Sequence, residues 1–180
     1  MTIYFALLRG INVSGHNMIK MTELKQMVEA MGFKRVKTYI NSGNVMFEAE
    51  ENAAALEEKI EKEISRVFGF NIAVFVRSAL ELACIIDHSP FKTVVLEDKQ
   101  SIHLTLLKEA PSQEQLDRLP EVEQGEDEYL IEGKEIYFLY RQSILDSKLT
   151  KKFQKLLPAT ARNWKTILKL DAMARALEGH

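Results

Sequence analysis

Cationic and amide side chains concentrate in three short segments that could together bind an anion. One segment follows the first apolar run, one forms a tight turn, and one precedes the last helical pattern. The candidate ligand-binding residues are Arg9, Gly10, Asn12, Gly15, Lys20, Asn41, Ser42, Asn44, Arg162, Asn163 and Lys165. Guanidinium and ammonium groups supply charge, amides and hydroxyls supply hydrogen bonds, and glycines let the backbone approach a ligand closely.

The same residues also have a purely conformational explanation. Asparagine and glycine adopt left-handed backbone angles easily and fill loops for that reason. Asn41–Asn44 is by itself a common hairpin turn, and Gly10 to Gly15 lacks the Lys-Ser/Thr pair that completes a P-loop. Around Trp164, the alternative is a helix cap whose tryptophan anchors the last helix.

The sequence lacks the residue patterns typical of catalysis or metal binding. None of the four histidines has a second His or Cys at metal-ligand spacing, so we expect no metal and no cofactor. Cys84 falls on the apolar face of a predicted helix, where cysteine packs as a small core residue. Ser42 lies in Asn-Ser-Gly and not in a nucleophile elbow. Whether the protein is an enzyme therefore stays open.

The segments are positioned by a predicted β-α-β-β-α-β unit over residues 1–77. Apolar alternation predicts strands, and a period near 3.6 with capping residues predicts helices. The predicted elements are a strand Ile3–Arg9, a helix from Thr22 to Gly32, strands that carry Val36, Thr38, Ile40 and then Val45, Phe47, a helix from Asn52 to Gly69, and a strand with Ile72, Val74 and Val76. This order predicts a ferredoxin-like fold.

Topology brings two of the three segments together. In a β-α-β-β-α-β unit the first two strands run parallel, with the third antiparallel between them. The loop 10–21 and the turn 41–44 should then lie at one end of the sheet, beside the N-terminus of the first helix. The partial positive charge of that terminus favours an anion.

The second half, residues 78–180, is predicted to be a related but irregular α+β subdomain with C-terminal helices. Its pattern is β-α-β-β-α followed by a terminal helix, which resembles a degenerate second copy of the first unit. The predicted elements are a helix capped by Ser78, a strand Ile102–Leu106, a short helix after Pro111, a hairpin around Gly133, and helices on either side of Pro158.

Bulk properties predict a folded cytoplasmic protein. Hydrophobic residues make up 46 % and charged residues 28 %, with a formal net charge of −2. The single cysteine fits a reducing compartment, and no apolar run is long enough to span a membrane. Six Lys/Arg against two Asp/Glu make residues 1–47 basic, and nine against three make residues 141–180 basic. Solvated helix faces explain this pattern, and the alternative is that the two basic ends form one face that attracts an anion.

Three segments resemble the bacterial family called domain of unknown function 1697. They are Leu7-Leu8-Arg9-Gly10-Ile11-Asn12-Val13 with Gly15, Tyr39-Ile40-Asn41-Ser42-Gly43-Asn44-Val45, and Arg162-Asn163-Trp164-Lys165-Thr166 with Lys169-Leu170. The resemblance spans almost the whole chain in order. It implies an α+β fold with ferredoxin-like parts, and it implies no activity, substrate or catalytic residue.

Three functions are compatible with these observations. The first is binding of a small anionic ligand, phosphate- or nucleotide-bearing, at the end of the first sheet. The second is single-stranded nucleic-acid binding on the sheet face, for which Phe5 and Phe47 are the candidate stacking aromatics, although the RNA-recognition signature is absent. The third is an enzyme that uses the same end of the sheet. Homo-oligomerisation through an exposed sheet or edge strand is compatible with all three.

Overall fold

The computed structural model describes residues 1–122, 126–156 and 158–179 as two compact α+β units. The first unit comprises Met1–Ala83 with Lys169–His180, and the second comprises Cys84–Leu168. The predicted join near Arg77 lies at the end of a strand, and the C-terminal residues group with the first unit. The division at residue 77 therefore stays a prediction.

The first unit contains the predicted β-α-β-β-α-β order. Its elements are β1 (Thr2–Leu8), α1 (Met21–Ala30), β2 (Lys34–Tyr39), β3 (Asn44–Ala49), α2 (Ala53–Phe68) and β4 (Val74–Ser78), followed by α3 (Ala79–Asp87). The strands form one antiparallel sheet in the order β2-β3-β1-β4. That order is the ferredoxin-like arrangement, with β1 and β2 parallel and β3 between them, so the fold prediction for this unit is confirmed.

Helices α1 and α2 cover one face of the first sheet because each carries an apolar stripe. Leu24, Met27 and Val28 of α1 are buried, as are Leu56, Ile60 and Ile64 of α2. They join Phe47 and its neighbours in one core. The opposite face of the sheet, which carries Ile3, Phe5, Leu7, Met46 and Phe75, is also buried.

Strand β4 lies at one edge of the sheet, where backbone groups lack a neighbouring strand. Helix α2 satisfies two of them, because Glu61 accepts from Val74 N at 2.8 Å and Glu57 accepts from Val76 N at 2.8 Å. Covering an edge strand with a helix is one of the ways in which proteins protect the edge of a sheet. Oligomerisation through an exposed sheet or edge strand stays a prediction.

The second unit repeats the topology of the first. Its elements are β5 (Ser101–Leu107), α4 (Gln113–Asp117), β6 (Glu128–Glu132), β7 (Glu135–Tyr140), α5 (Lys148–Leu156) and β8 (Ala159–Asn163), and α6 (Trp164–Glu178) follows. The sheet order is β6-β7-β5-β8, with every pairing antiparallel. The α+β fold with a related second half is confirmed, and that half is a complete β-α-β-β-α-β unit.

Strand β8 corrects the sequence prediction, which placed two helices in succession on either side of Pro158. Residues 159–163 pair with β5 as an edge strand between those helices. The predicted core position Leu157 lies outside the described residues. Cys84, predicted to be buried, is exposed, whereas Leu82 and Ile85 of the same helix are buried as expected. Among the described helices, none combines the length and apolarity needed to cross a membrane.

Candidate functional site

Three loops meet at the end of the first sheet where β1 ends, and we call residues 9–20, 40–43 and 69–73 the β1-end loops. Leu8 N donates to Gly43 O at 2.9 Å, and Arg9 N donates to Ala73 O at 3.0 Å. The predicted meeting of the β1–α1 loop with the hairpin turn is therefore observed. The α2–β4 loop at the same end was not anticipated, although the β-α-β-β-α-β topology requires it there.

Asn12 holds the first two loops together through its side-chain amide. Its Nδ2 donates to Ile19 O and to Asn41 O, both at 2.9 Å, and its Oδ1 accepts from Ile19 N at 2.8 Å. We call this set of bonds the Asn12 clasp. The amide of Asn12 therefore positions the two loops, and a role of Asn12 as a ligand contact stays a prediction.

Asn44 also departs from its predicted role. Its side chain is fully buried and donates to Tyr39 O at 2.9 Å and to Ser42 Oγ at 3.1 Å. It therefore holds the hairpin turn closed and offers nothing to solvent. Asn41, by contrast, is exposed and contributes its backbone oxygen to the Asn12 clasp.

The glycines of the candidate site have different roles. Gly10 (φ 66) and Gly15 (φ 77) are exposed and a Cβ at either would meet no other atom. Gly43 (φ 84) is buried, and a Cβ there would come within 2.6 Å of Ile11 Cδ1 and 2.9 Å of Leu8 Cβ. Only glycine fits that position, because the turn packs directly on the start of the β1–α1 loop.

The N-terminus of α1 lies where the β1–α1 loop ends. The helix begins at Met21 with Lys20 as its N-cap residue, and no side chain caps it. Thr22, the predicted cap, lies inside the first turn. Leu24 N bonds Lys20 O at 3.0 Å, whereas Glu23 places a carboxylate in the first turn. Uncapped N–H groups favour an anion, and the glutamate opposes one, so the local charge depends on the cations nearby.

Two cations of the β1-end loops are accessible. Arg9 follows β1, Lys20 precedes α1, and both are exposed. The Asn12 clasp joins residues 12 and 19 and so brings the two ends of this loop together. His16, at the tip of the loop, is exposed as well.

The third candidate segment belongs to the second unit. Arg162 lies on β8, is only 7 % exposed, and donates from Nη1 to Thr160 Oγ1 at 2.8 Å and to Ala161 O at 2.9 Å. Burial lowers the pKa of its guanidinium to about 10. Asn163 Oδ1 accepts from Lys165 N at 2.9 Å and so caps α6, while the side chain of Lys165 is exposed. A role of these three residues in anion binding stays a prediction.

A serine–histidine pair in the second unit was not found from the sequence. His103 Nε2 lies 3.1 Å from Ser101 Oγ, and the ring meets Tyr140 edge-on with centroids 5.3 Å apart. Burial lowers the pKa of His103, which keeps the imidazole neutral near pH 7. The spacing of Ser101 and His103 could have indicated this pair, because residues two apart on a strand place their side chains on the same face of the sheet.

One further prediction concerns the aromatic side chains of the first sheet. Phe5 and Phe47, the proposed stacking aromatics, are both fully buried, so neither can receive a base on the sheet face. Among the residues that the structure describes, no group of three or more His, Cys, Asp or Glu side chains could hold a metal ion.

The fold and these loops define an α+β protein with two ferredoxin-like units, the first of which carries an exposed cationic loop that the Asn12 clasp joins to the hairpin turn. A family model described as "Protein of unknown function (DUF1697)" matches residues 1–137, so the chain belongs to that family. The closing segment of the resemblance, residues 162–170, lies beyond the matched range.

The chain is also similar to a solved structure, the conserved bacterial protein SP0830 from Streptococcus pneumoniae. The two chains are 27 % identical and superpose with a TM-score of 0.75, and the alignment covers 96 % of this chain and 98 % of the other. No curated protein matches the chain at a significant level.

Proposed function

We propose that the protein binds a small phosphate-bearing anion at the β1-end loops of its first unit. The observation that supports this function is the accessibility of Arg9 and Lys20 at the two ends of a loop that the Asn12 clasp holds closed. A binding site benefits when its loop is already ordered, because binding then costs less conformational entropy.

Each group of the proposed site has a distinct task. The guanidinium of Arg9 can form two parallel hydrogen bonds with phosphate oxygens, which fixes the orientation of the anion. Lys20 adds a point charge. The free N–H groups of α1 contribute further donors, and a charge at a helix N-terminus is worth about 0.3–1 kcal/mol when exposed. Glu23 in the first turn opposes the anion, so Arg9 and Lys20 must outweigh it.

The test is a thermal-shift measurement with inorganic phosphate and a panel of nucleotides. A ligand at a hundred times its dissociation constant stabilises the folded protein by about 2.7 kcal/mol, which raises Tm by several degrees. We expect this rise in the unaltered protein and its loss in Arg9→Ala and Lys20→Ala. A parallel Lys165→Ala variant tests the predicted participation of the second unit.

Matched controls are provided by cations on α2. Arg66→Ala and Lys62→Ala remove exposed cations that pair with Glu63 and Glu58 of the same helix. Both control proteins should retain the full ligand-dependent rise in Tm. If all variants lost it equally, the effect would be one of net charge, and a site at Arg9 would be ruled out.

A further inference from the structure

The second unit contains an open cavity of about 670 Å³. Two parts of the chain line it. We call residues 120–122, 126 and 127, which precede β6, the pre-β6 segment. Residues 141, 142, 146, 148, 149 and 152, from the turn after β7 and the start of α5, are called the α5 segment. The cavity therefore lies within one unit and has no part in the proposed anion site.

Tyr129 of β6 connects the two lining segments. Its hydroxyl donates to Pro120 O at 2.8 Å, and its ring meets Phe153 of α5 edge-on with centroids 4.8 Å apart. At the other end of the pre-β6 segment, the buried carboxylate of Asp127 accepts from Arg141 N at 2.7 Å. Both segments are thus fixed by contacts within the unit, and a preformed cavity lowers the entropic cost of binding.

The charges that line the cavity are separated by sign. The pre-β6 segment carries three carboxylates and no cation, whereas the α5 segment carries three cations and the single carboxylate of Asp146. Glu121, Glu126, Lys148 and Lys152 are all exposed, and within the part of the chain that the structure describes none of these four forms an ion pair. A ligand with charge of one sign would meet like charges here, which is unfavourable, but a zwitterion matches both segments.

We propose that this cavity binds a short peptide with free termini. Glu121 and Glu126 bind the terminal ammonium group, and Lys148 and Lys152 bind the terminal carboxylate through charge-assisted hydrogen bonds. A compact space of 670 Å³ is roughly 10 Å across, which is about the length of an extended tripeptide. A free amino acid carries both charges on one carbon atom, so it matches charges on two segments less well. Leu149 provides an apolar contact for a small side chain.

The experiment measures dissociation constants by calorimetry for four probes that separate the parts of the ligand. They are trialanine, N-acetyl-trialanine without the ammonium group, trialanine amide without the carboxylate, and free alanine. We expect trialanine to bind about tenfold or more tightly than either blocked peptide, because each blocked peptide leaves one set of charges unmatched. Alanine should bind more weakly than trialanine by a similar factor.

Two double variants assign each terminus to its segment. Lys148→Gln with Lys152→Gln should weaken trialanine about tenfold and leave the affinity for trialanine amide unchanged, because that probe has no carboxylate. Glu121→Gln with Glu126→Gln should weaken trialanine by a similar factor and leave the affinity for N-acetyl-trialanine unchanged. All four side chains are exposed, so the folded structure should persist in both proteins.

Lys151→Gln and Glu132→Gln are the matched controls. Each removes an exposed charge of α5 or β6 that does not line the cavity, so both proteins should bind all four probes normally. Equal affinity for trialanine and the two blocked peptides would overturn the proposal. So would losses in the double variants that did not depend on which terminus is blocked, or the absence of trialanine binding. None of these results would affect the anion site, which is tested with phosphate and Arg9→Ala.

Discussion

Asn12 is the side chain on which the geometry of the β1-end loops depends. It sits at φ 55, and its amide makes three hydrogen bonds that join residues 12, 19 and 41. Each hydrogen bond contributes about 1 kcal/mol net to the free energy of unfolding. A left-handed backbone costs about 1–2 kcal/mol in a non-glycine residue whose side chain cannot bond its own backbone. Together these values give the size of the effect expected when Asn12 is replaced.

We predict that Asn12→Ala lowers the free energy of unfolding by about 3 kcal/mol, measured by urea denaturation. The control is Asn71→Ala, which makes the same chemical change at an exposed position of the α2–β4 loop and should alter stability by less than about 0.5 kcal/mol. Similar losses in the two variants would mean that the clasp contributes nothing specific.

The individual asparagines show where residue-level prediction from sequence ends. Both Asn41 and Asn44 belong to one turn, and their chemistry is identical. One is exposed and the other is fully buried, because only Asn44 begins β3 and pairs with Leu7 of β1. The sequence identified the segment, but which amide faces the protein depends on strand register, which no local pattern specifies.

At the scale of elements, helices and strands with a strongly periodic sequence were predicted correctly, whereas a strand with a weakly periodic sequence was not. Helix α2 and β4 have clear apolar alternation and a recognisable Asn52 cap, and both form as expected. Strand β8 has the sequence Ala-Thr-Ala-Arg-Asn, whose inward positions are Thr160 and Arg162. Because this strand buries an arginine and a threonine, its sequence shows no alternation of apolar residues that would predict a strand. The segment was therefore assigned to the N-terminal cap of the helix that follows it.

Helix α1 lacks the side-chain cap that α2 has, and this difference is testable. Asn52 Oδ1 accepts from Ala55 N at 3.0 Å, whereas Lys20 caps nothing. Serine at an N-cap contributes about 1 kcal/mol. We predict that Lys20→Ser raises the free energy of unfolding by about that amount and abolishes the phosphate-dependent rise in Tm. Asn52→Ala serves as the reference, because it measures how much a side-chain cap contributes in this protein. It should lower the free energy of unfolding by about 1 kcal/mol without affecting ligand binding.

A Lys20→Ser protein that became more stable and still bound phosphate normally would contradict the proposed site. A protein that lost binding without gaining stability would show that the N–H groups of α1 are already satisfied. The predicted combination, a gain in stability with a loss of binding, is the trade-off expected when a helix terminus is left open for a ligand.

At the scale of the whole chain, the two units repeat each other down to individual hydrogen bonds. Leu8 N donates to Gly43 O at 2.9 Å in the first, and Leu107 N donates to Lys134 O at 2.8 Å in the second. In each unit the fourth residue of the first strand pairs with an arginine of the last strand, Phe5 with Arg77 and Leu104 with Arg162. The sequence similarity between the halves was too weak to reveal this correspondence, because topology tolerates replacement of nearly every side chain.

The paired arginines make the repetition testable. Arg77 is 2 % exposed and Arg162 7 %, and each donates from Nη1 to the carbonyl oxygen of the preceding residue at 2.9 Å. Truncation of a large buried side chain leaves a cavity and polar groups that have lost a partner. We therefore predict that Arg77→Ala and Arg162→Ala each lower the free energy of unfolding by about 3 kcal/mol, measured by guanidinium denaturation.

The two losses should agree within about 1 kcal/mol, because the residues occupy equivalent positions in their sheets. Arg175→Ala is the matched control; its side chain is 68 % exposed and pairs with Asp171 in the same helix, so its removal should cost little. If Arg77→Ala lowered the free energy of unfolding and Arg162→Ala did not, the two positions would not be equivalent. If that harmless variant also lost the phosphate-dependent rise in Tm, Arg162 would be a ligand contact, because a buried structural arginine cannot be removed without a loss of stability.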